Sequence, residues 1–216
     1  YGLSFKANKS LPVYHDEVIV YEVTHESKGF YALLYTDFFP RPGKRNGAWM
    51  TSYLPQRKGQ RPHISIVCNF SRATKKQPSL LTFQEVSTMF HEFGHALHGM
   101  LAETTYSGLS GTNVYWDFVE LPSQIMENWC YQPEAISIFT KHYKTGDTLP
   151  LNFVEKIKKA AQFQQGLQTL RQLGFGFLDL SYHGGNINKI VDIKDHEKVI
   201  LEKVQFTEDQ PNNCIS

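Results

Sequence analysis

The sequence has few of the features that mark secreted, membrane-spanning or cysteine-stabilised proteins. Its three cysteines, Cys68, Cys130 and Cys214, are odd in number, far apart and outside any C-x-x-C pair. This pattern argues against a cysteine zinc site and favours a reducing compartment, so we expect a cytoplasmic location. No run of about 18 or more apolar residues occurs, and no membrane partner is expected.

The start of the sequence lacks a targeting signal. Residues 1–9 are polar and do not begin with methionine. They have no apolar core of the kind that a secretory signal requires, so they predict no signal peptide. The missing methionine indicates that the sequence is an excerpt from a longer protein.

An excess of charge of either sign is also lacking. The 22 Lys and Arg residues nearly balance the 21 Asp and Glu residues, and the formal net charge is +1. Binding to nucleic acid through bulk electrostatics is therefore not expected. The basic cluster of Arg41, Lys44 and Arg45 is interpreted as a solvated loop. The chain is long enough to bury a sizeable core.

Four segments in the first 80 residues have the β-branched and aromatic composition of strands. They are residues 18–24, 30–39, 47–54 and 63–70. A Ser-Lys-Gly turn at residues 27–29 predicts that the first two form a hairpin. Residues 1–14 are expected to be an irregular lead-in because they contain Pro12. Together these patterns predict a small antiparallel sheet of about four strands.

Helical patterns follow. Thr82 and Glu85 match a capping box, which predicts a helix from there to about Leu101. Pro122 is expected in a first turn or at a kink, and Pro133 at a first helical position. Further helices are predicted at residues 114–131, 134–144, 152–173 with an extension to 182, and 192–206. The predicted fold is mainly α with a small antiparallel β-sheet (α+β), one region 1–216 with a sheet part, 1–80, and a helical part, 81–216.

The pattern H-E-x-x-H lies inside the first predicted helix, at His91-Glu92-Phe93-Gly94-His95. Two histidines four apart lie one turn from each other on nearly the same face, so both imidazoles can bind one metal ion. Glu92 is close enough to act on water at that ion but is poorly placed to be its third ligand. This arrangement is typical of zinc hydrolases in which the glutamate is the general base.

The surrounding helix predicts burial of these polar groups. Its apolar residues lie on most sides, at Phe83, Val86, Phe90, Phe93, Leu97 and Met100. A helix of this kind is expected to be buried, and burying His91, Glu92 and His95 is costly unless they are paired or bind metal. The alternative is a metal-stabilised binding module without catalysis, but a purely structural site needs no base such as Glu92.

A catalytic zinc takes three protein ligands, so a third must come from another segment. Spacing leaves Asp117, Glu120 and Glu127 open as candidates, with His142 and His183 more distant. Glu103 follows the helix too soon for the chain to return, and His98 is expected in the core or behind the ligands. One of the carboxylates could bind metal while another accepts a hydrogen bond from a ligand histidine.

The combined segments closely resemble the thimet oligopeptidase family of zinc metallopeptidases, which includes oligopeptidase A and bacterial dipeptidyl carboxypeptidases. The resemblance rests on seven segments, residues 47–50, 67–70, 91–98, 110–114, 117–124, 127–129 and 166–171. It implies a zincin-like catalytic region that binds one Zn²⁺ and hydrolyses short peptides in the cytoplasm. The alternative enzyme class is another zinc protease, such as a thermolysin-like one. The segment that supplies the third zinc ligand distinguishes the two classes.

The resemblance also implies roles for particular residues. It implies His91, His95 and Glu120 as zinc ligands and Glu92 as the catalytic base. We further expect Asp117 and Glu127 to contact the ligand residues without binding the metal themselves. The sequence stops before the family's Gly-rich substrate loop and has no counterpart of its N-terminal helical portion. We therefore expect the remaining segments of a full-length enzyme as partners, and little or no activity from this chain alone.

Overall fold

The computed structural model describes residues 1–185 and 190–205. Their contacts divide the chain into two compact units, Tyr1–Leu151 and Asn152–Ser216. The first unit contains all the strands that the structure describes: β1 Leu3–Ala7, β2 Ile19–His25, β3 Gly29–Asp37, β4 Trp49–Leu54 and β5 His63–Val67. Its α-helices are α1 Phe83–Met100, α2 Trp116–Val119, α3 Leu121–Glu127 and α4 Pro133–Phe139. The expectation of a single region with a division near residue 80 stays a prediction.

The sheet is mixed, and the prediction of a small antiparallel sheet of four strands was wrong in two respects. The strand order is β1-β2-β3-β5-β4. The hairpin of β2 and β3 is present as predicted, but β5 runs parallel to β3, and β4 pairs antiparallel with β5 at the edge. The chain crosses from β3 to the edge before it returns, so no hairpin signal could have shown this order. The α+β class itself agrees with the structure.

The fifth strand, β1, lies in the segment expected to be irregular. Its residues pair antiparallel with β2, from Leu3 opposite His25 to Ala7 opposite Tyr21. Four of the five residues in β1 are exposed. A short exposed edge strand shows little hydrophobic pattern, which is why the sequence did not reveal it.

One face of the sheet packs against α1 and forms the main core. The buried residues of this core come from three strands, the segment after β5 and the last turns of α1: Val23, Ala32, Leu34, Ile64, Ile66, Cys68, Phe70, Ala96, Leu97 and Met100. Burial on α1 is therefore concentrated in its C-terminal half, whereas Met89 in the other half is 39% exposed. The expectation of a helix buried on most sides holds only for that second half.

The start of α1 is the predicted capping box. The Thr82 Oγ1 accepts a hydrogen bond from the Glu85 N–H at 3.2 Å, and the Glu85 carboxylate accepts one from the Thr82 N–H at 2.8 Å. Each contact satisfies a backbone donor that a helix N-terminus would otherwise leave unpaired. The helix therefore begins at a defined residue, two turns before the histidines.

The helix predicted at residues 114–131 is broken into α2, α3 and a 3₁₀ turn, Asn128–Tyr131. Pro122 lies in the first turn of α3, as predicted, because a helix needs no backbone donor there. Pro133 likewise begins α4. That helix ends at Phe139, short of the predicted residue 144, because Thr140 has left helical geometry with ψ of 94°.

The second unit consists of three helices among its described residues: α5 Leu151–Gln162, α6 Gln165–His183 and α7 Ile193–Leu201. A continuous helix from 152 to 182 was expected, but Gln164 adopts a left-handed conformation with φ of 54° and interrupts it. Asp192 caps α7 by accepting a hydrogen bond from the Asp195 N–H at 2.9 Å. Residue 206, the polar tail 207–216 and Cys214 lie outside the described residues.

Candidate metal centre

Three of the predicted site residues meet at one point beside the middle of α1. The rings of His91 and His95 are 4.8 Å apart between centroids, with an interplanar angle of 85°. The Glu120 Oε2 lies 3.2 Å from the His91 Nε2 and 3.1 Å from the His95 Nε2. One donor atom from each residue lies within 4.8 Å of the others, and no second such group of three occurs in the described ranges.

This spacing fits a single metal ion. Ligands about 2.0–2.2 Å from a tetrahedral zinc lie about 3.3–3.6 Å from one another, slightly more than the distances from Glu120 to the two histidines. Two imidazoles and one carboxylate are a donor set that leaves a fourth position for water or substrate. The Glu120 side chain is 49% exposed and that of His91 27%, so this fourth side faces solvent.

Glu120 is brought to the histidines by the close approach of α3 to α1. At Gly94, between the two histidines, an added Cβ would lie 2.5 Å from the Ser123 Cα and 2.6 Å from the Pro122 carbonyl oxygen. The two backbones touch at this point because residue 94 has no side chain. Gly94 is thus a functional residue that the sequence reasoning missed, although it stands inside the motif.

The carboxylate of Glu120 is also oriented locally. The buried Ser123 hydroxyl lies 2.8 Å from the Glu120 Oε2 and 2.8 Å from its backbone carbonyl oxygen. Since α2 ends and α3 begins at Glu120, the chain turns there and directs the side chain towards α1. A serine three residues after a carboxylate is the sequence signal that could have identified this support.

Glu127 contacts the far side of one histidine. Its Oε1 lies 2.6 Å from the His91 Nδ1, which leaves the Nε2 facing Glu120. A carboxylate on the outer nitrogen fixes the tautomer and ring orientation of a metal-binding histidine. By contrast, the Nδ1 of His95 is buried and has no hydrogen-bond partner in residues 1–185 and 190–205.

Glu92 is buried beside these residues. It is only 5% exposed, and its Oε2 has no hydrogen-bond partner among the described residues. Burial raises the pKa of the Glu92 carboxyl, an effect that His91 opposes and Glu120 reinforces. Burial lowers the pKa of His95 in turn, against the opposing charge of Glu120. A carboxylate with a raised pKa and a neutral imidazole suit a general base and a metal ligand, respectively.

The other candidates lie elsewhere. Asp117 is exposed on α2, and its side chain makes no hydrogen bond or ion pair within the described ranges. Its expected contact with the ligands stays a prediction. His98 makes an edge-to-face contact with Phe118, with ring centroids 6.1 Å apart, and is outside the donor group. Glu103 accepts a hydrogen bond from Tyr31 at 2.7 Å.

The two distant histidines are engaged locally. His142 contacts Thr145, with 3.0 Å between the Nδ1 and the hydroxyl oxygen. His183 pairs with Asp179 in the second unit at 3.2 Å. Neither belongs to the donor group beside α1.

A cavity of about 320 Å³ opens onto the donor group. Its walls are the edge strand and its approach, the segment after α1, and the end of α2: Ala48, Trp49, Met50, Thr112 and Val119, with His91, Glu92, His95 and Glu120 at its base. A general base next to a solvent-facing metal position, both at the bottom of a cleft, is the arrangement typical of a hydrolytic metal centre. Thr112 and Val119 lie in segments that carry the family resemblance, but the sequence offered no separate reason to place either side chain at the site; the fold brings them there.

Comparison with known proteins agrees with a hydrolytic metal centre. The sequence model of peptidase family M3 matches residues 1–213, and the chain belongs to this family of metallopeptidases. The resemblance to the thimet oligopeptidase family that the motifs predicted is thereby confirmed. No helix among the described residues is long and apolar enough to cross a membrane.

Named relatives lie within the same family. The chain is 43% identical over 189 residues to oligopeptidase A of Escherichia coli (strain K12). The matched region covers 85% of this chain and 28% of the relative. It is 40% identical over 185 residues to dipeptidyl carboxypeptidase of Salmonella typhimurium, covering 85% of the chain and 27% of the relative. The chain therefore spans just over a quarter of the length of these curated relatives.

Proposed function

We propose that this chain carries the zinc centre of a peptidase that hydrolyses short peptides, as an oligopeptidase or a peptidyl-dipeptidase. The observation that carries the proposal is the convergence of His91, His95 and Glu120 on one point, with the buried carboxylate of Glu92 beside it. The relatives named oligopeptidase A and dipeptidyl carboxypeptidase support peptide bonds as the substrate class.

We assign a role to each residue from its position. His91, His95 and Glu120 would hold one Zn²⁺, which when bound lowers the pKa of water and polarises the scissile carbonyl. Glu92 accepts the proton of the attacking water and passes it to the leaving amine, so the carboxylate ends the cycle as it began. Glu127 keeps His91 in the orientation that this binding needs.

We further propose that the peptide backbone pairs with the outer edge of β4, which no other strand among the described residues covers. This strand is the last in the sheet, and Trp49 and Met50 line the cavity of the donor group. An extended peptide can add to such an edge through main-chain hydrogen bonds. Replacing the exposed Thr51 by Ala should then raise the Michaelis constant by less than about twofold. A much larger rise in the Michaelis constant would count against backbone pairing.

We propose that the chain works within a longer cytoplasmic polypeptide. Its coverage of 27–28% of its relatives supports the first point, and a relative named probable cytosolic oligopeptidase A, from Arabidopsis thaliana, supports the second. Residues outside this chain would then contribute to substrate binding. The isolated 216 residues are expected to bind zinc and to have little or no peptidase activity.

The test compares the longer enzyme with its Glu92→Gln variant. Both should contain about one zinc per chain, because Glu92 is not a ligand. Cleavage of an internally quenched fluorescent peptide should fall by about three orders of magnitude or more in the variant, since the base is lost. Equal cleavage by both proteins would refute the proposed chemistry. Full zinc content without cleavage by the wild-type enzyme would favour the non-catalytic module.

A further inference from the structure

The loop between β4 and β5 contains a buried glutamine whose side chain reaches the segment after α1. Gln56 is 4% exposed. Its Oε1 accepts hydrogen bonds from the Thr104 N–H at 2.8 Å, the Thr104 hydroxyl at 2.9 Å and the Ser110 hydroxyl at 3.3 Å, and its Nε2 donates to the Thr104 carbonyl at 3.0 Å. In the part of the chain that the structure describes, every hydrogen bond of this amide goes to Thr104 or Ser110. One side chain thus joins the end of the edge strand to residues 104–110.

The tethered segment continues directly to the candidate metal centre. Gly111 has φ of +57°, and an added Cβ would lie 3.0 Å from the Gly99 Cα, so the segment lies directly on α1. The next residue, Thr112, lines the metal-site cavity together with Trp49 and Met50 of β4. The segment and the edge strand are therefore two walls of one cleft.

A second, smaller cavity shows how near these walls are to each other. It has a volume of about 40 Å³, and residues of β4, its following loop and the segment 110–113 all line it. They include Met50, Ser52, Gln56, Ser110 and Thr112. A gap of this size holds only one or a few water molecules, so the two walls lie close to each other here.

We propose that Gln56 is a positioning residue for the peptide substrate. It holds residues 110–113 at a set distance from β4, and so sets the width of the cleft in which an extended peptide main chain lies. The inference rests on the proposed peptidase function, because it assigns a peptide to that cleft. Loss of the amide leaves the Thr104 N–H and carbonyl without these partners and loosens the segment. The Lys58 N–H still donates to the Thr105 carbonyl oxygen at 3.3 Å, so the segment is weakened at this point and not released. A cleft wall displaced by about 1 Å lowers substrate binding or turnover severely.

The same loop supplies a matched control. Gln60 also bonds through both ends of its amide, since its Nε2 donates to the Pro55 carbonyl at 2.8 Å and its Oε1 accepts from the Arg57 Nε at 3.2 Å. These bonds stay inside the turn between β4 and β5. Gln60→Met therefore removes a glutamine amide from the same loop without touching residues 104–113.

The experiment compares Gln56→Met with Gln60→Met in the full-length polypeptide, each in a Glu92→Gln background so that bound peptide is not consumed. Amide hydrogen exchange is measured over residues 104–113, and binding of a fluorescein-labelled octapeptide by anisotropy. We expect Gln56→Met to speed that exchange and to raise the peptide dissociation constant, each by about tenfold. Zinc content should be unchanged. Gln60→Met should leave all three quantities as in the parent.

Several results would overturn the assignment. Parental exchange and parental peptide affinity in Gln56→Met would do so, as would equal effects from Gln60→Met. If Gln56→Met does not fold, Ser110→Ala decides, because it removes only the 3.3 Å bond and should shift both quantities in the same direction by a smaller factor. A parent that binds zinc but no peptide would refute the proposed function, whereas binding lost only in Gln56→Met speaks for Gln56 alone.

Discussion

At the scale of single residues, the candidate site depends on carboxylates that differ in what they touch. Glu120 faces both histidines, Glu127 faces only the outer nitrogen of His91, and Asp117 is exposed without a partner in the described ranges. Sequence spacing treated these three acids as equivalent candidates. Their contacts differ, and substitution can test whether their roles differ as well.

Replacing Glu127 should weaken zinc binding without abolishing it. Glu127→Gln keeps the size of the side chain but removes the charge that orients His91, and partners of this kind typically change metal affinity by about 10- to 100-fold. Competition with a chromogenic zinc chelator measures the affinity. Asp117→Asn is the matched control and should bind zinc like the wild type. Equal losses in both variants would contradict the assigned contacts.

At the scale of secondary-structure elements, the site is a product of how closely α3 packs on α1. The contact is backbone to backbone at Gly94, and Ser123 and Pro122 lie directly opposite. Two helices can cross at this short distance only if position 94 has no side chain. The position of Glu120 beside the histidines therefore depends on Gly94, which is not itself a metal ligand.

A methyl group at this position should disturb both packing and zinc binding. In Gly94→Ala the new Cβ would need space that the Ser123 Cα occupies at 2.5 Å, so α3 must move away and carry Glu120 with it. Overpacking of this kind costs about 1–3 kcal/mol of unfolding free energy. Urea titration and zinc stoichiometry measure the two effects. Gly108→Ala, whose Cβ meets nothing within 4 Å, should change neither.

At the scale of the whole molecule, a buried ionic cluster on the first unit links stability to pH. Asp37 is 1% exposed, and its carboxylate accepts two hydrogen bonds from Arg41, at 2.7 and 2.8 Å, and one from the buried Lys44 at 2.8 Å. The interpretation of this basic cluster as a solvated loop was therefore wrong for Arg41 and Lys44, which pair with Asp37. Burial by itself raises the pKa of Asp37, but hydrogen bonds from Arg41, Lys44 and Tyr14 outweigh it and hold the pKa well below its usual value. Folding is therefore linked to ionised Asp37.

This linkage predicts how stability changes in acid. The contribution of Asp37 is fully present above the unfolded pKa of about 3.9 and is lost as the pH falls below it towards the lower folded pKa. At neutral pH, Asp37→Asn should reduce the unfolding free energy by about 3–5 kcal/mol, because Lys44 keeps a buried charge without its partner. The difference from wild type should shrink in denaturant titrations below about pH 4. Asp16→Asn, at an exposed position, should show no such trend.

The sequence by itself determined the features that depend on neighbouring residues. The capping box at Thr82 and Glu85, the prolines in the first turns of α3 and α4, and the hairpin of β2 and β3 all follow from local chemistry, and all are present in the structure. The same holds for the motif that places His91 and His95 one turn apart. Family membership also followed from segments that could be read along the chain.

The tertiary structure decided what depends on residues far apart in the chain. It chose Glu120 over Asp117 and Glu127 as the acid nearest both histidines, because Gly94 lets α3 touch α1. It also placed β5 between β3 and β4, leaving β4 as the edge beside the cavity. Crossovers and backbone contacts of this kind leave no periodic signal in a sequence, because each is set by packing between elements rather than by the pattern within one.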